Sequence, residues 1–131
     1  MSVSYLRYGF CLLLGIGAAA VAGEANVTNV AIECAASRTC TFNVTVRHAD
    51  AGWEHYADHW RVLSPDGNEL GRRILHHPHV TEQPFSRSLS DVHIPAEIGE
   101  IIVEAHDSVH QYGGAKATAG VAIPGQSPLG E

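Results

Sequence analysis

The feature that most restricts the fold is period-2 alternation, repeated in short runs along the chain. In 40–48, Phe42, Val44 and Val46 share one parity, while Asn43, Thr45 and Arg47 share the other. Successive side chains of an extended strand point to opposite faces, so such a run buries one face and leaves the other in water. The same reading gives strands over 27–34, 59–63, 70–75, 85–94, 100–105 and 115–123. Turn residues separate them, most clearly Ser64-Pro65-Asp66-Gly67, and Pro95 ends the fifth.

Seven short strands with regular turn signals, and Trp60 on the third, predict an all-β, seven-stranded immunoglobulin- or fibronectin-like sandwich. One domain over 23–123 is expected, followed by a flexible tail over 124–131. Residues 1–22 read as a cleaved signal peptide. Arg7 is the charge of the n-region, 10–21 is apolar, and Ala20-Val21-Ala22 is a small-residue cleavage site before Gly23. The apolar run is too short to span a bilayer, so no membrane anchor is expected after cleavage. Cys11 follows the bulky Tyr8-Gly9-Phe10, which does not suit lipoprotein processing. The expected destination is the periplasm or the medium.

Export gives meaning to the cysteines. Cleavage leaves Cys34 and Cys40, and a close pair in an oxidising compartment reads as a disulfide. It would close the turn between the first two strands. The chain is acidic, with a formal net charge of −6, and Lys116 is its single lysine. No basic stripe is present, so nucleic acid is not an expected partner.

Histidine is the compositional anomaly, with nine in the chain. Antiparallel strands bring the loops after strands two, four and six to the same end, and those loops hold or adjoin all the histidines but His93. His48 has the parity of Val44 and Val46, so it extends the inward column to the rim. Asp107 does the same for Val103 and Ala105, whereas His106 is expected to face outward with Glu104. Imidazoles from several loops suit a transition metal. The candidate ligands are His48, His55 and His110, with His77 or His79 and Asp107 as further donors. With no methionine beyond Met1 and the cysteines oxidised, zinc, copper(II) or iron is the expected class of ion. Neither an HExxH pattern nor a GxSxG elbow occurs, so no reaction is read from the sequence. The alternative is a non-metal accessory module that docks on another exported protein through the same loops, using Trp53, Tyr56 or Phe85. Sheet edges leave the oligomeric state open.

The run Val44-Thr45-Val46-Arg47-His48, followed by Glu54-His55-Tyr56-Ala57-Asp58-His59-Trp60, resembles the iron-binding sandwich domain of superoxide reductases of the desulfoferrodoxin type. The resemblance implies a related metal pole, with His48, His55 and His110 as histidine ligands. Asp107, in Asp107-Ser108-Val109-His110, stands where that family has its cysteine thiolate, so superoxide reduction is not implied. The blocks Gly52-Trp53-Glu54-His55-Tyr56 and His77-Pro78-His79 also resemble small secreted bacterial proteins of unassigned function.

Overall fold

The computed structural model describes residues 23–126. The signal peptide expected over 1–22 lies outside the described residues, as does the end of the expected tail. Seven strands form: β1 Asn26–Cys34, β2 Thr39–Arg47, β3 Ala57–Leu63, β4 Glu69–Ile74, β5 Phe85–His93, β6 Glu100–Asp107 and β7 Ala117–Gly120. They pair antiparallel in two sheets, β1-β2-β5 and β4-β3-β6-β7. No helix occurs among the described residues. This is the seven-stranded sandwich that the alternation predicts.

The core follows the parity. Phe42, Val44 and Val46 from β2 are fully buried, as are Trp60 and Val62 from β3 and Ile101 and Val103 from β6. Burying such side chains contributes roughly 1.5–3 kcal/mol each. Phe85, Val92 and Ile94 close the core from the β5 side.

The two ends of the sandwich are held differently. At one end the Cys34 and Cys40 sulfurs are joined in a disulfide across the β1–β2 turn. Arg38, in the same turn, is buried and donates to the carbonyls of Ile94, Pro95 and Ile98 at 2.7, 3.0 and 2.7 Å. It also donates to Gln126 Oε1 at 3.0 Å. The described part of the expected tail is therefore tied to the domain. The other end carries the loops between β2 and β3, β4 and β5, and β6 and β7.

Candidate metal centre

His48 follows β2 and continues its inward column, 2 % exposed. Asp50 has the same parity and is also buried. A carboxylate only accepts hydrogen bonds, so His48 donates from Nδ1 to Asp50 Oδ1, 2.5 Å away. Asp50 Oδ1 also accepts the Ala57 N–H at 3.1 Å, and Oδ2 accepts the His79 N–H at 2.7 Å. Burial opposes ionisation of Asp50, but these three donors outweigh it and hold its pKa below the ordinary carboxylate range. For His48, burial opposes the charged ring, and the hydrogen bond to Asp50 with the charges of Asp50 and Asp107 outweighs it and raises the pKa. The outcome is a fixed orientation. Nδ1 is committed to Asp50, and Nε2 faces the neighbouring loops.

His55 reaches that nitrogen through a tight turn. Gly52 has φ +117°, which a side chain disfavours. The turn closes with Ala51 N–H to His55 O and His55 N–H to Gly52 O, at 2.9 and 3.2 Å. The His55 ring is thereby folded back until its Nε2 lies 3.2 Å from His48 Nε2. Two ring nitrogens this close need a shared proton or a common cation between them.

Asp107 ends β6 on the inner face, opposite Ala57, and its side chain is fully buried. Its Oδ1 accepts the N–H groups of Val109 and His110 at 2.9 and 2.7 Å. This turn folds His110 back, with Nδ1 3.3 Å from the same oxygen. His55 Nε2 is also 3.3 Å from Oδ1. Burial pushes the Asp107 pKa up, but the His110 and Val109 amides and the nearby His48 and His110 rings bring it below normal. Oδ2 is buried without a hydrogen-bond partner, 4.0 Å from His48 Nε2. A buried polar atom left unpaired is costly.

His48, His55 and Asp107 thus present donor atoms that lie within 4.8 Å of one another. His110, whose side chain is 36 % exposed, stands beside them at the rim. Donors around a tetrahedral zinc with bonds of about 2.0–2.1 Å sit about 3.3 Å apart. The spacings of 3.2 Å between His48 and His55 and 3.3 Å between His55 and Asp107 Oδ1 match that value, while the unpartnered Oδ2 stands farther off, 4.0 Å from His48.

The structure does not bring His77 or His79 into this group. His77 is exposed, and its Nδ1 lies 3.1 Å from the Pro78 carbonyl. His79 is buried behind Asp50, with its ring stacked on Phe85 at 4.0 Å. Its Nε2 accepts from Arg87 at 3.0 Å. Burial, Arg87 and His77 lower its pKa, so the ring is held neutral. Its contribution to the centre is its backbone N–H.

A second group lies on the outer face of the β4-β3-β6-β7 sheet, where His59 pairs with His106. Their Nδ1 atoms are 3.2 and 2.6 Å from Asp58 Oδ1, and the rings stack at 4.4 Å. Their Nε2 atoms are taken by Tyr112 Oη at 2.6 Å and Gln111 Oε1 at 2.8 Å. This group satisfies itself with protein partners, which the Asp107 group does not. Glu104 is expected to face outward with His106. It does lie on the outer face, but Arg61 and Lys116 cover it and leave it 4 % exposed. Sequence reasoning names Asp58 as a possible oxygen donor at the histidine-rich end but does not join it to His59 and His106, and it does not single out Asp50. The shared parity of His48 and Asp50 was the available signal for Asp50.

No protein-family model matches the chain, and no solved structure matches it. Over 91 residues the chain is 43% identical to a protein of Halomicrobium mukohataei described as "Putative lipoprotein". That stretch is 70% of this chain and 44% of the relative, so the chain spans less than half of the relative's length. No link to superoxide reductases is shown.

Proposed function

We propose that this is an exported protein that binds a divalent transition metal through His48, His55, Asp107 and His110. The observation that carries the reading is the facing pair of imidazole nitrogens, 3.2 Å apart, beside a buried carboxylate oxygen with no hydrogen-bond partner among the described residues. Asp50 supports it from behind. A carboxylate on the far nitrogen of a ligating histidine fixes its tautomer and raises its basicity. Nitrogen and carboxylate donors without thiolate or thioether favour zinc(II), copper(II) or iron(II). The Cys34–Cys40 disulfide supports export, as does the similarity to a protein described as a lipoprotein.

Metal analysis of the exported protein, purified without affinity tag or chelator, tests the reading. About one equivalent of metal is expected, with loss on His48→Ala or His55→Ala while the circular dichroism spectrum is retained. Folded protein that neither carries nor takes up zinc or copper(II) would sink it. In that event docking through the exposed Trp53 and its neighbour Tyr56 becomes the better account.

A further inference from the structure

The first described residue, Gly23, sits in the candidate centre. Its carbonyl oxygen is 3.3 Å from His48 Nε2, the same spacing that separates His55 from Asp107. Its Cα faces the His110 ring so closely that an added Cβ would lie 3.3 Å from Cε1 and 3.7 Å from Nε2. The φ of +83° disfavours a side chain as well.

The approach is built by the fold. The segment 23–26 lies along the loop that carries Asp107 and His110. A Cβ on Gly113 would fall 1.7 Å from Glu24 Oε1, and one on Gly114 2.0 Å from the Ala25 carbonyl oxygen. Gly114 thus lets the two backbones touch, and Gly113 leaves room for the Glu24 carboxylate. Hydrogen bonds lock the contact. Asn26 Oδ1 accepts the Ala115 N–H at 2.7 Å, Val27 N–H donates to Ala115 O at 2.9 Å, and Asn26 Nδ2 donates to Glu24 O at 3.0 Å.

Gly23 is also the residue that follows the small-residue cleavage site Ala20-Val21-Ala22. While residue 22 is attached, the Gly23 nitrogen is a planar amide whose lone pair is delocalised, and it is no ligand. Hydrolysis of the Ala22–Gly23 bond adds hydroxyl to the Ala22 carbonyl carbon and hydrogen to the Gly23 nitrogen. The products are a carboxylate on the leader and a primary amine on the domain. That amine is one Cα from the carbonyl that lies 3.3 Å from His48 Nε2, and the two would close a five-membered chelate ring on one ion.

We propose that leader cleavage completes the metal centre, with the Gly23 α-amine and carbonyl oxygen joining His48, His55, Asp107 and His110 as ligands. This rests on the metal-binding reading above. The centre would then reach full affinity only in the processed, exported chain.

The test uses the full chain exported through its own leader and purified without tag or chelator. Mass spectrometry should find Gly23 as the amino terminus; a terminus elsewhere overturns the proposal. Half of the folded sample is transaminated with pyridoxal phosphate, which converts the terminal amine to a carbonyl and leaves the rest of the chain intact. Both halves are titrated with copper(II) and zinc(II), using His48→Ala protein as the control. At least a 100-fold weaker affinity is expected after transamination. Equal, His48-dependent affinity in both halves overturns this inference and leaves the metal centre standing. Absence of binding in both halves removes the metal reading and this inference together.

Discussion

His48 Nδ1 lies 2.5 Å from Asp50 Oδ1, and both side chains are fully shielded from solvent. The contact turns a flexible ring with two equivalent nitrogens into a directional donor. Only Nε2 is left to face His55 and Asp107. Because Asp50 also holds the amides of Ala57 and His79, one carboxylate ties the start of β3 and the β4–β5 loop to the ligand ring.

Asp50→Asn should weaken zinc binding roughly 10- to 100-fold, since it replaces the carboxylate behind the ligating histidine. Competition with a chromophoric chelator measures this. An unchanged affinity would show that the His48 tautomer does not matter.

His77→Ala and His110→Ala should separate cleanly. His77 is exposed and lies outside the donor group, so its loss should leave metal affinity unchanged and stability within about 0.5 kcal/mol. His110 borders the group through Asp107 and His55, so its loss should weaken binding measurably. Calorimetric titration of both variants decides the matter.

The metal-free protein should lose stability as the pH falls from about 6.5 to about 4. Burial, with the charges of His106 and Arg72, lowers the His59 pKa from 6.5 to about 4. Over that window the unfolded chain takes up a proton that the folded chain refuses, so acid favours unfolding, by at most about 3 kcal/mol. The raised pKa of His48 acts in the opposite sense. Its contribution is complete below about 6.5 and fades as pH rises through the folded value. Asp50 and Asp107, with lowered pKa values, add stability above about 4 that is lost only in stronger acid. Urea denaturation at pH 7 and 4.5, with chelator present, should show the drop, and His59→Gln should shrink it.

Gly114→Ala should destabilise the domain by roughly 1–3 kcal/mol. The added methyl meets the Ala25 carbonyl oxygen at 2.0 Å, and backbone cannot swing aside as a side chain can. Thermal melts would show this, together with faster proteolysis near residue 24.

At the far end, Arg38→Met should cost about 2–4 kcal/mol, because three carbonyls lose a charged donor at once. Metal affinity should be unaffected, which separates scaffold from site. Denaturant curves and metal titrations on the same preparation provide both readings.

The strands and their inward faces were legible because alternation is local. Val44, Val46 and His48 lie on one parity, and so do Val103, Ala105 and Asp107. That was enough to place His48 and Asp107 inside the histidine-rich end. What alternation does not report is how loops return. The turn at Gly52 that carries His55 to His48 depends on backbone hydrogen bonds between residues 51 and 55. The separation of His77 from the centre, and the stacking of His79 on Phe85, depend on where the β4–β5 loop packs. Covering of Glu104 by Arg61 requires β3 and β6 to be neighbours, which is a property of topology and not of any short run of residues.

His106 and Asp107 are adjacent in β6, yet one belongs to the outer group and the other to the inner. Neighbouring residues of a strand look out of opposite faces of the sheet. The strand therefore acts as a party wall, with two polar chambers back to back that share no donor atom. Substitution at 107 should therefore release the metal while substitution at 106 leaves it in place, although the two residues are neighbours in the chain.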